Sequence, residues 1–224
     1  MAEYPQDVVQ RFHGTPEQVD AGLVGELPRT WGSVVIEEYD RAWAQLFTAV
    51  HASLTEALGP LVVGVEHVGS TAVPGLAAKP VVDVDLVIED TAEESSYLPT
   101  LERLGYRLVL REPWWHGHRM LLSPAEDVNL HVWPRGAPEP VRHRLFRDWL
   151  RSHPEDRERY ATTKRRLARD TAHSPATTAW RRTTSSTRST RASSPPDGRA
   201  HVDLGHFPLA PNGKCPRFGR RPNV

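Results

Sequence analysis

The chain has 224 residues, of which 38% are hydrophobic and 25% charged, and its formal net charge at pH 7 is zero. This length favours one sizeable globular domain. The single cysteine, Cys215, excludes an internal disulfide, and no apolar run approaches the roughly 20 residues that a membrane helix needs. The polar first ten residues predict no signal peptide, so we expect a cytoplasmic protein without a membrane partner.

The zero net charge conceals an asymmetry along the chain. Residues 1–140 hold 9 Lys and Arg against 21 Asp and Glu, whereas residues 141–200 hold 15 against 6. A basic segment attracts phosphate-rich partners, but a solvated helix face followed by an unfolded tail explains the same charges. Non-specific nucleic-acid binding is therefore the least favoured function.

The first elements in chain order lie before residue 60. Residues 1–33 are rich in turn formers and predict an N-terminal extension. A short strand is predicted over residues 34–36, and Asp40 is an N-cap candidate for a helix over residues 41–58, whose apolar side chains recur at helical spacing. Gly59 ends this helix.

A turn that can bind phosphate and a pair of carboxylates come next in the chain. The strand over residues 63–68 runs into Gly69-Ser70-Thr71, where glycine tolerates close backbone approach and amides and hydroxyls can face a phosphate. In the strand over residues 81–88, side chains alternate, so Asp83 and Asp85 share one face. Two adjacent carboxylates invite a hard divalent cation. Each motif alone is weak; their order and spacing carry the interpretation.

Three helices and a strand are predicted in the rest of the chain, apart from a hairpin. A helix over residues 91–104, a left-handed cap at Gly105 and a strand over residues 106–110 are followed by helices beyond Pro140 and over residues 154–169. The dipole of the last helix explains, without a ligand, the basic residues near its C-terminal end: Lys164, Arg165, Arg166 and Arg169.

A second polar cluster is predicted on a hairpin of strands 119–123 and 128–133. On its second strand Asn129 and His131 share a face opposite to the apolar residues. The hairpin is expected to bring four polar side chains near the aspartates: His118, Arg119, Asn129 and His131.

The chain changes character after residue 170. Residues 171–200 contain no Val, Ile, Leu, Met or Phe, so this part cannot build a core, and we predict disorder over residues 171–224. A sharper hypothesis is that the tail is a frameshift product. Reading Ala176–Ser194 one base earlier with plausible codons gives GDYGVEKDDVIDEIYARIF, whose apolar residues fall at helical spacing. Sequencing the gene near Ser174 tests this hypothesis.

Four segments resemble the GrpB family, a group within the nucleotidyltransferase superfamily related to DNA polymerase beta. They are VVIEEYDRAWAQLFTAVHASLTEALG, EHVGSTAVPGLAAKPVVDVDLVI, HRMLLSPAEDVNLHVW and RHRLFRDWLRSHPEDRERYATTKRRLA. The resemblance covers roughly residues 34–168 and places the domain at 34–170. It implies an α+β, nucleotidyltransferase-like fold with a mixed β-sheet, packed helices and a C-terminal helical segment.

The resemblance also implies a function. It implies a nucleotidyltransferase-like protein in which the Gly-Ser turn holds a nucleotide or another phosphate ligand and the aspartates bind Mg²⁺; the acceptor is unknown. The resemblance implies that Asp83 and Asp85 are catalytic and bind the metal, and we expect His131 to be the third catalytic residue. The implied phosphate-binding residues are Gly69, Ser70, Thr71, Lys79 and Arg119, with His118 and Asn129 as supporting polar residues.

One departure from the family pattern opens an alternative. The hairpin corresponds to the place where active superfamily members carry a third carboxylate, and this chain offers only Asn129 and His131 there. His131 can act as a base or as a metal ligand instead. The alternative is a non-catalytic regulatory protein that binds a nucleotide or phosphate, with Ser70, Arg119 and Lys79 holding the phosphate. A solvated Lys79 without a ligand is an equally favoured interpretation.

Overall fold

The fold is seen in a computed structural model, which describes residues 6–9, 14–31 and 35–171. Six α-helices, three short 3-10 helices and five strands are formed in these ranges. The helices are α1 (Gln6–Val9), α2 (Pro16–Gly22), α3 (Ala42–Leu58), α4 (Glu94–Arg103), α5 (Pro138–Ser152) and α6 (Pro154–Thr171). The strands are β1 (Gly64–Val68), β2 (Val82–Ile88), β3 (Arg107–Glu112), β4 (His118–Leu122) and β5 (Val128–Pro134).

The five strands form one mixed sheet in the order β1-β2-β5-β4-β3. Strands β2 and β5 are parallel, whereas the other neighbours are antiparallel. This arrangement confirms the predicted α+β class. Because β5 pairs directly with β2, it places Asn129 opposite Asp83 and His131 opposite Asp85 in register.

One face of the sheet carries the main core. Val82, Val84 and Leu86 of β2 are fully buried there, as the alternation predicted, and pack with side chains from α3 and α4. Leu54 and Leu101 are the most deeply buried side chains of these two helices. The aspartates consequently lie on the other face, which the loop after β1 and helices α5 and α6 cover through a second, smaller apolar cluster.

The segment from α2 to Trp31 packs against the far edge of the sheet, whereas α1 packs against α5. Leu23 forms a β-bridge with Leu110, and the amide of Val24 donates to the carbonyl of Val109 at 2.8 Å. This segment therefore covers β3 and β4 on the same face as the aspartates.

Several predicted boundaries differ from the structure, including those of the first predicted strand and of helices α3 and α4. Residues 35 and 36 lie in no strand, although Glu37 bridges Ala78. Helix α3 begins after Arg41, and the Asp40 carboxylate accepts from the amide of Ala42 at 2.8 Å. Helix α4 begins at Glu94, three residues later than predicted, because residues 91–93 form a turn.

The predicted disorder and frameshift concern residues 171–224, which lie outside the described ranges except for the last residue of α6. No helix within the described ranges is long and apolar enough to cross a membrane.

Candidate phosphate-binding site

Gly69 brings the predicted turn into contact with the first aspartate. Its backbone has φ 68° and ψ −166°, a region that is essentially restricted to glycine. A Cβ atom on Gly69 would overlap Oδ2 of Asp83 and lie 3.0 Å from its Cγ. The turn and the carboxylate are therefore packed together, and only glycine fits between them.

A contact between the side chains of Thr71 and His67 supports the turn. Nε2 of His67 lies 3.1 Å from Oγ1 of Thr71, and the imidazole stacks on Phe47 with ring centroids 4.9 Å apart. Burial lowers the pKa of His67 to about 4, so the ring is neutral near pH 7. Thr71 is itself buried, and its hydroxyl contributes to the shape of the turn.

Asp83 is the partly exposed aspartate of the pair, with 31% of its side chain accessible. Its Oδ1 accepts from Nδ2 of Asn129 at 2.8 Å and lies 3.8 Å from Nε2 of His131. Burial raises the pKa of Asp83, but attraction to His131 and the hydrogen bond from Asn129 outweigh it and hold the pKa below its usual value. Asp83 is therefore an ionised carboxylate at the opening of the site.

Asp85 is fully buried, and both of its oxygens have partners. Oδ1 accepts from Nε1 of Trp133 at 2.9 Å, and Oδ2 lies 2.8 Å from Nδ1 of His143 on α5. Burial lowers the pKa of His143, but the charge and hydrogen bond of Asp85 outweigh it, so the net pKa is raised. The Asp85–His143 pair attaches α5 to the sheet.

The arrangement of the aspartates bears on the predicted Mg²⁺. Asp85 is enclosed by its two donors, and Oδ2 of Asp83 is the one oxygen of the pair that accepts no hydrogen bond from a described residue. Within the described ranges, no group of three or more His, Cys, Asp or Glu side chains has the geometry of a metal site. The residues as arranged do not fit a two-carboxylate magnesium site, and we derive no step through a metal.

Lys164 of α6 is the site residue that the sequence interpretation missed. It is only 6% exposed, and its Nζ donates to Oγ of Ser70 at 2.8 Å. Tyr160, one turn earlier, lies 3.4 Å from the same hydroxyl, and its ring is 5.4 Å from the ammonium. Burial lowers the pKa of Lys164 to about 8, against the attraction of Asp83.

The interpretation of the basic residues as a solvated helix face is therefore wrong for Lys164, which is buried. A signal was present in the sequence: Tyr160, Lys164 and Ala168 recur every four residues and form a stripe along α6, in which Lys164 and Ala168 are buried and Tyr160 is partly buried. A lysine within such a stripe faces the protein, whereas the exposed Arg166 lies outside it.

Lys79 and Arg119, the two cations predicted to bind phosphate, lie in different places in the structure. Lys79 is partly buried and donates to the carbonyl of Thr30; burial lowers its pKa, and the charge of Asp83 acts against this. Arg119 lies on the opposite face of the sheet, because it pairs in register with Val132, and it donates to Glu94 at 2.6 Å. The alternation along β4 therefore excludes Arg119 from the site and is the reason that this expectation was wrong.

His118 does join the site, through His131. Its Nε2 lies 3.0 Å from Nδ1 of His131, and its Nδ1 lies 2.7 Å from Oε2 of Glu112. Glu112 ends β3 and was not among the predicted site residues. Sequence spacing could not identify it, since the pairing of β3 with β4 decides its neighbours.

The comparisons with known proteins agree with this fold. The family described as GrpB protein matches residues 33–184. The chain belongs to the GrpB family. The crystal structure of the conserved protein GrpB from Enterococcus faecalis superposes with a TM-score of 0.58 at 32% sequence identity, covering 62% of this chain and 86% of that one. This likeness is consistent with the predicted nucleotidyltransferase-like fold.

GrpB-family relatives share most of the described domain. A UPF0157 protein of Halalkalibacterium halodurans is 46% identical over 154 residues, which are 69% of this chain and 79% of that protein. A UPF0157 protein of Streptomyces coelicolor is 41% identical over 69% of this chain and 74% of its own length. A dephospho-CoA kinase of Mycobacterium tuberculosis is 28% identical over 151 residues, but only 37% of that protein is covered.

Proposed function

We propose that this GrpB-family protein binds a nucleotide or another phosphorylated small molecule at the Gly69–Ser70 turn, with Lys164 as the principal cation. The observation that carries the proposal is the buried ammonium of Lys164. Among the described residues, Ser70 Oγ is its only hydrogen-bond partner, so two of its three donors are available. Burying a charge with so few partners is unfavourable unless a ligand supplies them.

The charges around the turn support an anionic ligand. Lys79 lies close enough to influence the pKa of Lys164, so two cations act on the same region. The hydroxyl of Ser70 is already oriented by Lys164 and Tyr160. The similarity to part of a protein named dephospho-CoA kinase is consistent with a phosphorylated ligand.

Nucleotidyl transfer is the second candidate function, and the paired Asp83 and His131 favour it. An ionised carboxylate 3.8 Å from an imidazole suits removal of a proton from an acceptor hydroxyl. Binding without turnover, as in a regulatory protein, requires only the turn and the lysines. The proposal of phosphate binding is common to both.

Isothermal titration with pyrophosphate, ATP and adenosine tests the proposal. We expect pyrophosphate and ATP to bind and adenosine to bind weakly, because the contacts are to phosphate. Lys164→Met should weaken ATP binding about 10- to 100-fold, since a charge-assisted hydrogen bond contributes about 1.5–3 kcal/mol. Arg166→Met is the matched control, because Arg166 is exposed on the same helix. Absence of binding, or equal affinity in Lys164→Met, contradicts the proposal.

A further inference from the structure

Three titratable side chains form a continuous line across the sheet, leading away from Asp83. Glu112 of β3 is in register with His118 of β4, and the ring of His118 continues to His131 of β5. The two links are 2.7 Å from Oε2 to Nδ1 and 3.0 Å from Nε2 to Nδ1. The outer nitrogen, Nε2 of His131, then faces Oδ1 of Asp83 at 3.8 Å.

The two ends of this line differ in their access to solvent. Glu112 is 5% exposed, His118 is 1% exposed, and the side chain of His131 retains 19% of its accessible surface. The inner carboxyl is covered by Gly22 of α2, whose Cβ position would lie 3.1 Å from Cγ of Glu112. The line therefore connects the partly open end of the site to a buried carboxyl group.

While both imidazoles are neutral, hydrogen-bond chemistry permits two orders along the line. With Glu112 ionised, His118 donates from Nδ1 to the carboxylate and accepts at Nε2 from Nδ1 of His131. With Glu112 protonated, every donor reverses, and His131 carries its proton on Nε2. The two orders are related by moving one proton across each link.

We propose that Glu112, His118 and His131 form a proton relay that removes a proton from a hydroxyl group bound beside Asp83 and stores it on Glu112. The inference rests on the proposed function for the identity of the bound molecule, a phosphorylated ligand or its hydroxyl-bearing acceptor. His131 is the residue that contacts the reacting group; His118 and Glu112 act through it.

The transfer is balanced in protons and charge. The hydroxyl proton passes to Nε2 of His131, the Nδ1 proton of His131 passes to Nε2 of His118, and the Nδ1 proton of His118 passes to Oε2 of Glu112. The hydroxyl oxygen becomes the negatively charged nucleophile, while the Glu112 carboxylate becomes neutral. Both imidazoles end neutral, so no additional positive charge remains buried.

The surroundings of the line suit this exchange. Burial raises the pKa of Glu112 to about 7, so this carboxyl holds a proton more readily than an exposed one does. The rings of Trp115 and Trp133 pack on His118, at 5.0 and 4.2 Å between centroids. The charged groups that face His131 are Asp83 from β2 and His143 from α5, whose ring lies 6.3 Å away.

Nitrogen-15 NMR of the histidine rings, recorded on the full chain from pH 9 to 5 without ligand, tests the relay. In the wild type, the first proton taken up should leave His131 neutral with its proton on Nε2, while His118 changes from the Nδ1 to the Nε2 tautomer. In Glu112→Gln, His118 should keep its Nδ1 proton and His131 should become an imidazolium. Glu102→Gln, at an exposed carboxyl, should behave as the wild type.

The wild-type titration decides the matter even if Glu112→Gln does not fold. A wild-type His118 that keeps one tautomer while His131 becomes an imidazolium overturns the relay. Because this measurement requires no phosphate ligand, failure of the relay and failure of phosphate binding are detected separately.

Discussion

Replacing Lys164 by methionine should stabilise the protein while weakening its binding of a phosphate ligand. Burial lowers the pKa of this lysine from 10.5 to about 8. That change corresponds to about 3 kcal/mol of unfavourable free energy for the charged form at neutral pH. Losing the hydrogen bond to Ser70 costs about 1 kcal/mol. The net gain of about 2 kcal/mol should raise Tm by about 4–8 °C for a domain of this size.

The pH dependence separates this cause from better packing. Because the folded-state pKa of Lys164 is lowered, the unfolded chain binds the proton more tightly between pH 8 and 10.5, and wild-type stability rises with pH through that window. The advantage of Lys164→Met, measured by urea unfolding, should therefore shrink from pH 8 to 10.5. Arg166→Met should change stability by no more than about 0.5 kcal/mol. A destabilised Lys164→Met variant would refute the reasoning.

Two further substitutions test the turn and the histidine behind it. Gly69→Ala should abolish ATP binding in titration calorimetry and lower the free energy of unfolding by about 2–4 kcal/mol, through backbone strain and collision with Asp83. The control is Gly75→Ala, at φ 77° with open space around it, which should lower the free energy of unfolding by only about 1 kcal/mol. An equal loss in the two variants would exclude the collision. The depressed pKa of His67 should make stability fall by about 2 kcal/mol as pH drops from 6.5 to 4. Urea unfolding should show that His67→Gln reduces this acid loss and that the exposed His51→Gln does not; an unchanged loss in His67→Gln would contradict the assignment.

Local periodicity predicted the parts of the site that lie on strands. Alternation along β2 and β5 placed Asp83 with Asp85 and Asn129 with His131, and the structure confirms both faces. The same rule, applied along β4, separates Arg119 from His118, which the sequence interpretation had grouped together. The error came from assigning proximity by sequence neighbourhood where a strand sends adjacent side chains to opposite faces.

The parts that sequence reasoning missed depend on pairing between distant segments. Lys164 meets Ser70 across 94 positions, and Glu112 meets His118 only because β3 pairs with β4 in one register. Similarly, the Trp133 and His143 donors that enclose Asp85 lie on β5 and α5. Spacing within one segment contains no information on such contacts. Magnesium binding, transfer activity and the acceptor stay predictions.

The contact between Lys164 and Ser70 determines which truncated or frameshifted products would retain the proposed site. All five strands and both aspartates lie within the chain up to Pro134, yet the cation proposed to bind phosphate comes thirty residues later. A product ending before α6 would contain every strand of the sheet and lack the proposed phosphate-binding lysine. A reading-frame change near Ser174, in contrast, would leave every proposed site residue as it is. The proposed chemistry therefore does not depend on whether the hypothesised frameshift is correct, because every proposed site residue precedes Ser174.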